Sequence, residues 1–327
     1  MNTLQRRANF SQTYEQMPVL MLQGSVGERI YRNFTRQKPE KPLGLAGLYY
    51  SENGHRGLDR VFHDYVSIAQ KFDLPLLLHP YSKVIDRELI SGTYYEDRNI
   101  TADNYHHCQS IVDGYPLIRE KVFIGTILGF SGDSYRPSTG LSEEEAYALH
   151  SKTTRVLETM DHDHARTGLS PALPEAAGAA RALSETTLPY FVSFLVRRDG
   201  KLLDGTWLHD AIAYIDSATE KRPPLFYQVN CVHPRNMMKC LDQKPNRTEL
   251  VRSRFRGLEA NGSELSPEEL DNAGTLHTSL PGEWADDLLR LYTDYGLKVL
   301  GGCCGTDHEH MTQLALRIRG VYDQLGL

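Results

Sequence analysis

The stretch Lys298-Val299-Leu300-Gly301-Gly302-Cys303-Cys304-Gly305-Thr306 closes the last of a series of short apolar runs, and a helical pattern from His308 to Leu325 follows it. An apolar run, a glycine-rich polar turn and then a helix is the signature of a β/α unit. The same order recurs upstream. Leu225 to Val229 runs into Asn230-Cys231-Val232-His233 and a helix from Pro234 to Leu241. Earlier runs are Val19 to Leu22, Leu74 to Leu78 (entered from a helix between Leu58 and Phe72) and Val122 to Phe130. A helix from Ser142 to Met160 follows the third, with Ser142 and Glu145 placed for a capping box. A fourth strand falls within His162 to Leu169, and the Ala-rich stretch Pro174 to Ser184 supplies its helix. Tyr190 to Val196 and Phe255 to Ala260 are further strands, with helices near Thr206 to Ile215 and Pro281 to Tyr295. About eight such units predict a (β/α)8 TIM barrel formed by one domain over residues 1–327. An open doubly wound sheet is the alternative, but no Gly-x-Gly-x-x-Gly turn follows the first run.

With 40% hydrophobic and 24% charged residues, the 327-residue chain has ample material for a core. A formal charge of -6 gives no reason to expect nucleic acid or an anionic membrane as partner, and Arg197-Arg198 reads as a solvated face. No apolar run approaches the ~20 residues of a spanning helix. Met1 to Gln16 is polar and lacks the apolar segment of a signal peptide, so the expected location is the cytoplasm. Two long connections, Arg32 to Asn53 and Gln243 to Leu280, read either as substrate-covering loops or as plain surface excursions. The sequence leaves room for a homo-oligomer.

Five cysteines, an odd number in a long chain, argue against a disulfide framework and for reduced thiols. Cys231, Cys303 and Cys304 all follow apolar runs, at the strand ends where barrel active sites assemble. Cys108 and Cys240 fall instead on helical patterns and read as buried thiols. Neighbouring residues on a strand point to opposite faces, but Gly301, Gly302 and Gly305 allow a tight bend that turns both thiols of the pair to one point. A vicinal disulfide is the rival, in a strained small ring. Three thiolates suit Zn2+, leaving one of its four positions open, and they favour binding of another sulfur over activation of water. A free thiol with a pKa near ~8.5 is only about 3% ionised at neutral pH. Bound to zinc it loses its proton and stays nucleophilic, ready to attack an activated methyl group.

At these residues the chain resembles the homocysteine S-methyltransferase family. That family carries an Asn-Cys segment after one strand and a Gly-Gly-Cys-Cys-Gly-Thr segment near its end, matched by Asn230-Cys231 and Gly301 to Thr306. Val192-Ser193-Phe194, Asp199-Gly200 and Asp204-Gly205-Thr206 resemble its fifth-strand region. The resemblance implies a barrel, three zinc thiolates, and transfer of a methyl group from a sulfonium or ammonium donor to homocysteine or a related thiol. Three positions depart from the pattern. Gln23-Gly24 stands where the family has Asp-Gly, and Leu78-His79-Pro80-Tyr81-Ser82 where it has Thr-x-Thr-Tyr. The fourth strand ends in Glu-Thr in the family, and counting back from Glu175-Ala176 puts Gly168 or its neighbours there. The family's Asp and Glu help to hold the acceptor's amino group, and a cation loses charge-assisted hydrogen bonds without them.

Gln23, Gly24, His79, Asn230 and Ser193 are accordingly the candidates for contact with the acceptor. Asn230 reads equally as a strand-end turn residue, and His79 equally as a hydrogen-bonded structural histidine. Asp161 to His164 reads as a solvated loop, with polar contact or proton transfer as the alternative. His106-His107 and His308-x-His310 are metal pairs in appearance only. Ser193 has no readable partner histidine for a hydrolase. The partners implied are a small-molecule thiol and a methyl donor. Two other readings stay open: a different acceptor or methyl carrier, and a zinc-binding barrel without catalysis.

Overall fold

A computed structural model describes residues 1–35, 43–81, 90–265 and 277–327. Segments 36–42 and 266–276 of the two long connections, and Ser82, lie outside the described residues. Strands β1 (Leu20–Leu22), β2 (Leu76–Leu78), β3 (Val122–Leu128), β4 (His164–Thr167), β5 (Tyr190–Phe194), β6 (Tyr227–Val232), β7 (Phe255–Ala260) and β8 (Val299–Gly302) form a closed barrel in chain order. Every pairing is parallel, and β8 returns to β1 through Leu20 opposite Val299. This is the (β/α)8 TIM barrel expected from the alternating runs. Strands buried on both faces need no polar alternation, so continuous apolar runs such as Leu76–Leu78 suffice.

Around the barrel lie Glu52–Phe72, Ile100–Asp113, Glu143–Glu158, Leu173–Ser184, Leu208–Ala218, Pro234–Leu241, Pro281–Tyr295 and His308–Leu325. The capping box at Ser142 is formed as read, with the Ser142 hydroxyl accepting from Glu145 N and the Glu145 carboxylate accepting from Ser142 N. Cys108 and Cys240 are fully buried on two of these helices. No described helix is long and apolar enough to cross a membrane.

The polar amino-terminal stretch forms a helix, Thr3–Gln16, which the sequence reading did not anticipate. It stoppers the amino end of the barrel. Phe10, with no exposed surface, enters the interior cluster with Leu20, Leu77, Phe123, Phe191 and Val299. Its ring stacks on His164 at 4.5 Å between centroids. Arg6 pairs with Asp163 at 2.8 Å, and Arg7 donates to the backbone carbonyls of Met160 and His162. The reading of Asp161 to His164 as a solvated loop is therefore corrected. His162, Asp163 and His164 are all buried, because the helix covers them from below and supplies the cation that Asp163 needs. Truncation of this stopper, Phe10→Ala, is expected to cost about 3–5 kcal/mol of stability, measured from urea unfolding. A loss under about 1 kcal/mol would contradict its place in the core.

Candidate metal centre at the carboxyl end of the barrel

Along β6, Gln228 and Asn230 point into the barrel while Tyr227 and Val229 pack outward in the main core. Simple alternation would send Cys231 outward as well. Instead the register slips: Asn230 pairs with Glu259 and Val232 with Ala260, leaving Cys231 as an unpaired extra residue. Its φ is 56°, a left-handed conformation that costs a non-glycine residue energy and recurs at functional sites. Asn261 Nδ2 holds the distorted backbone by donating to the Cys231 carbonyl at 3.0 Å. The bulge turns the thiol toward the mouth.

The second half of the cluster comes from the turn after β8. Cys303 N donates to Ala260 O at 2.7 Å, extending the ladder with β7. The chain then reverses, with Thr306 N donating to Cys303 O at 3.1 Å and Gly305 at φ 80°, the positive angle that such a turn demands at its third position. Gly301 and Gly302 serve differently from the expectation. Neither has a positive φ; they are small because a Cβ there would collide with Leu22 and Thr306.

The ligand atoms of Cys231, Cys303 and Cys304 all lie within 4.8 Å of one another, and Cys231 Sγ is 2.7 Å from Cys303 Sγ. All three are free thiols; Cys231 is buried, Cys303 half-buried and Cys304 exposed. Hydrogen bonds from Cys231 and Cys303 hold Cys304 well below the usual thiol range. Hydrogen bonding to Cys231 and Cys304, with burial, pushes Cys303 up. Cys231 is also pushed up: a hydrogen bond from Cys303 lowers it, but its bond to Cys304 and burial outweigh that. The three therefore titrate as one group in which the first thiolate opposes the next. Soft sulfur donors at these separations fit a tetrahedral metal whose bonds of about 2.3 Å set sulfurs about 3.8 Å apart. The 2.7 Å pair would open by about an ångström.

The remaining candidates form the floor. Gln23 engages both ends of its amide with residue 79: Oε1 accepts from His79 N at 2.8 Å and Nε2 donates to His79 O at 3.4 Å. The side chain of His79 is 1% exposed, its Nε2 is 3.0 Å from His164 Nε2, and burial keeps both rings far below the usual histidine pKa and neutral. Gly24 is a close-approach position, where a Cβ would overlap the Tyr65 hydroxyl and Met311. The Ser193 hydroxyl donates to Asn230 Oδ1 and accepts from Gln228 Nε2. Gln23, Gly24 and Ser193 are thus tied into the protein itself. Asp307 caps the last helix, and the buried His310 ring bonds its carboxylate through Nδ1 at 2.8 Å. His107 pairs with Asp59 at 2.8 Å; with His55 they make a second close group among the described residues, on the helices Glu52–Phe72 and Ile100–Asp113.

Two buried charges were missed by the sequence reading. β4 ends in Arg166-Thr167 and Gly168 follows it, so a cation stands two residues before the position that the family pattern gives to its Glu. Arg166 Nη2 lies 3.0 Å from Glu259 Oε2 on β7, and Arg166 Nη1 donates to Asn230 Oδ1 at 3.3 Å. Both side chains are at most 7% exposed. Burial pushes the Glu259 carboxyl up, with Arg166 pulling it back. A cavity of about 560 Å³ opens beside Cys231, walled by Tyr135, Leu195, Asp199, His233 and Glu264, and also by Arg197 and Arg198.

A barrel with three convergent thiols at its carboxyl mouth defines a class, and the comparisons specify it. The sequence profile described as homocysteine S-methyltransferase matches residues 93–318, more than half the chain. The chain belongs to the homocysteine S-methyltransferase family, a family of methyltransferases. Among curated proteins, homocysteine S-methyltransferase YbgG of Bacillus subtilis (strain 168) is 24% identical over 191 residues, which span 58% of this chain and 58% of that protein. The metallated form of the homocysteine methyltransferase MmuM from Escherichia coli superposes with a TM-score of 0.68 at 16% identity, covering 94% of this chain and 99% of that one. Its oxidized form gives 0.66 at 17% identity, covering 97% and 100%. At such identities the likeness is one of fold.

For the metal-free protein the coupled thiols make a specific prediction. Cys304, depressed and exposed, is the most readily ionised of the three and keeps its reactivity to lower pH than an ordinary thiol. Iodoacetamide at pH 7 should alkylate Cys304 first, read by peptide mass spectrometry. Labelling of Cys303 as fast as Cys304 would contradict the coupling.

Proposed function

We propose that this chain, as a single barrel domain, is a zinc-dependent S-methyltransferase that carries a methyl group from a sulfonium or ammonium donor to homocysteine or a related thiol. The observation that carries the reading is the convergence of Cys231, Cys303 and Cys304 beside an open cavity, in a chain of this family. The metallated form of MmuM adds support for a metal in this fold. Zinc held by the three cysteines would supply a site where the acceptor thiol gives up its proton and stays nucleophilic at neutral pH.

The chain's own residues do the rest. The bulge at Cys231 and the turn at Gly305 aim the sulfurs at one point, and His79, His164 and Phe191 seal the barrel beneath them against water. The cavity beside Cys231 receives the donor; its wall carries Asp199 and Glu264 together with Arg197 and Arg198, and Glu264 pairs with Arg235. In the transfer the bond from acceptor sulfur to the methyl carbon forms as the bond from donor sulfur or nitrogen to that carbon breaks. The donor leaves as a neutral sulfide or amine, and the acceptor's proton has already gone to solvent. Three reduced thiols suit the cytoplasm.

Zinc-loaded protein given homocysteine with S-methylmethionine or betaine is expected to form methionine, detected by mass spectrometry. Cys231→Ser, Cys303→Ser and Cys304→Ser should each lose both bound zinc and turnover. Turnover that survives complete chelation of metal would overturn the proposal. Loading the metal-free protein at pH 7 should release at least two protons, because Cys231 and Cys303, both pushed up, are protonated beforehand.

A further inference from the structure

The family pattern holds the acceptor's amino group with carboxylates after the first and fourth strands, and neither is present here. Gln23 replaces one and is bonded at both ends to the backbone of residue 79. Counting back from Glu175-Ala176, Gly168 or a neighbour, just past the end of β4, stands where the other would be. The site still contains a buried carboxylate, transposed to β7. Glu259 pairs across the sheet with Asn230 on one side and Gly301 on the other, one residue before Cys231 and two before Cys303. At about 3.3 Å per strand residue, it lies about 3–7 Å below the sulfurs along the barrel axis. That is the reach of a chain of two or three carbons.

The two charges are incompletely satisfied. Arg166 Nη2 and Glu259 Oε2 are 3.0 Å apart, yet Oε2 accepts no aligned hydrogen bond, and Arg166 Nε, also buried, donates none. Nearby, Gln228 Oε1 is buried without a partner too. An unpaired polar atom in a buried site carries a penalty of about 1–3 kcal/mol, so several at one level of the barrel mark a place built for something polar. Asn230 holds the guanidinium from the other side, its Oδ1 accepting from Arg166 Nη1 and from the Ser193 hydroxyl. The pair as a whole is neutral. A lone anion would meet Glu259 and a lone cation would meet Arg166, whereas a ligand bearing both charges matches both.

Resting on the zinc-thiol reading above, we infer that Arg166 and Glu259 form a relocated amino-acid clamp: Glu259 takes the ammonium and Arg166 the carboxylate of an α-amino-acid thiol whose sulfur lies at the three cysteines. The acceptor class is then a zwitterionic thiol of homocysteine's length. The recognition that the family pattern places on β1 and β4 is divided here between β4 and β7. Arg166 and Glu259 bind the acceptor without touching the sulfur, so their substitution changes which thiol binds and not whether metal binds.

The test uses cobalt(II)-substituted full-length protein, whose sulfur-to-cobalt charge-transfer absorption reports a thiol joining the metal without any turnover. Three probes are titrated: homocysteine, 4-sulfanylbutanoate (no ammonium) and 3-sulfanylpropylamine (no carboxylate). Homocysteine is expected to bind about 10–100-fold more tightly than either. Glu259→Gln should abolish its advantage over 4-sulfanylbutanoate, and Arg166→Gln its advantage over 3-sulfanylpropylamine. Each single change leaves a buried charge unpaired, so the double variant Arg166→Met with Glu259→Met guards against misfolding; it should bind cobalt normally and all three thiols alike. Equal binding of the three probes by the wild-type protein, or undiminished selectivity in the double variant, overturns the clamp while leaving the metal reading intact. Failure of every thiol to perturb the wild-type cobalt spectrum overturns the metal-thiol reading and the clamp with it.

Discussion

Three thiols brought within 4.8 Å of one another cannot all be ionised unless a cation shares the charge. Much of the upper barrel serves to create that crowding. The Cys231 backbone is held at a positive φ, two strand glycines remain small where Leu22 and Thr306 press close, and the chain reverses at Gly305. Local distortion of this kind persists only where the surrounding structure over-determines it. Here the surroundings are the ladders of β7, which bind Asn230 and Val232 on one side and Gly301 and Gly302 on the other. β7 therefore sets the distance between the two halves of the cluster.

Below the sulfurs the barrel interior changes character level by level. At the amino end, Phe10, Phe123, Phe191 and Phe226 fill it completely. Above them sits a neutral imidazole pair, His79 and His164, and then the ring of Arg166, Ser193, Asn230, Gln228 and Glu259. Water is excluded from below, and polarity rises toward the open end. Such a gradient makes charge interactions near the mouth stronger than at the surface and leaves the apolar amino end undisturbed.

The eight units were legible because parallel strands buried on both faces are written as unbroken apolar runs, and Val122 to Phe130 could hardly be anything else. β4 was the hardest, since His164-Ala165-Arg166-Thr167 buries polar side chains inside the barrel and so lacks that signal. The same polarity hid Arg166. Glu259 stood in plain view within a correctly read strand, but a single glutamate reads as a solvated residue until a cation is found opposite it. Cys303 and Cys304 were legible from their glycines, although only Gly305 uses the backbone freedom expected. The inward turn of Cys231 depends on a register slip against β7, a tertiary fact with no local sequence signature. The amino-terminal helix was missed for a related reason: Thr3–Gln16 is polar overall, and its single deeply inserted side chain, Phe10, gives no periodic apolar face.

The claim on which the account turns is that one metal ion takes sulfur from both halves of the cluster. X-ray absorption at the zinc edge of the loaded protein measures this directly. The account predicts three sulfur neighbours at about 2.3 Å with one lighter atom, and a fourth sulfur replacing that atom when homocysteine is added. A shell dominated by nitrogen and oxygen, or one with two sulfurs or fewer, would contradict it.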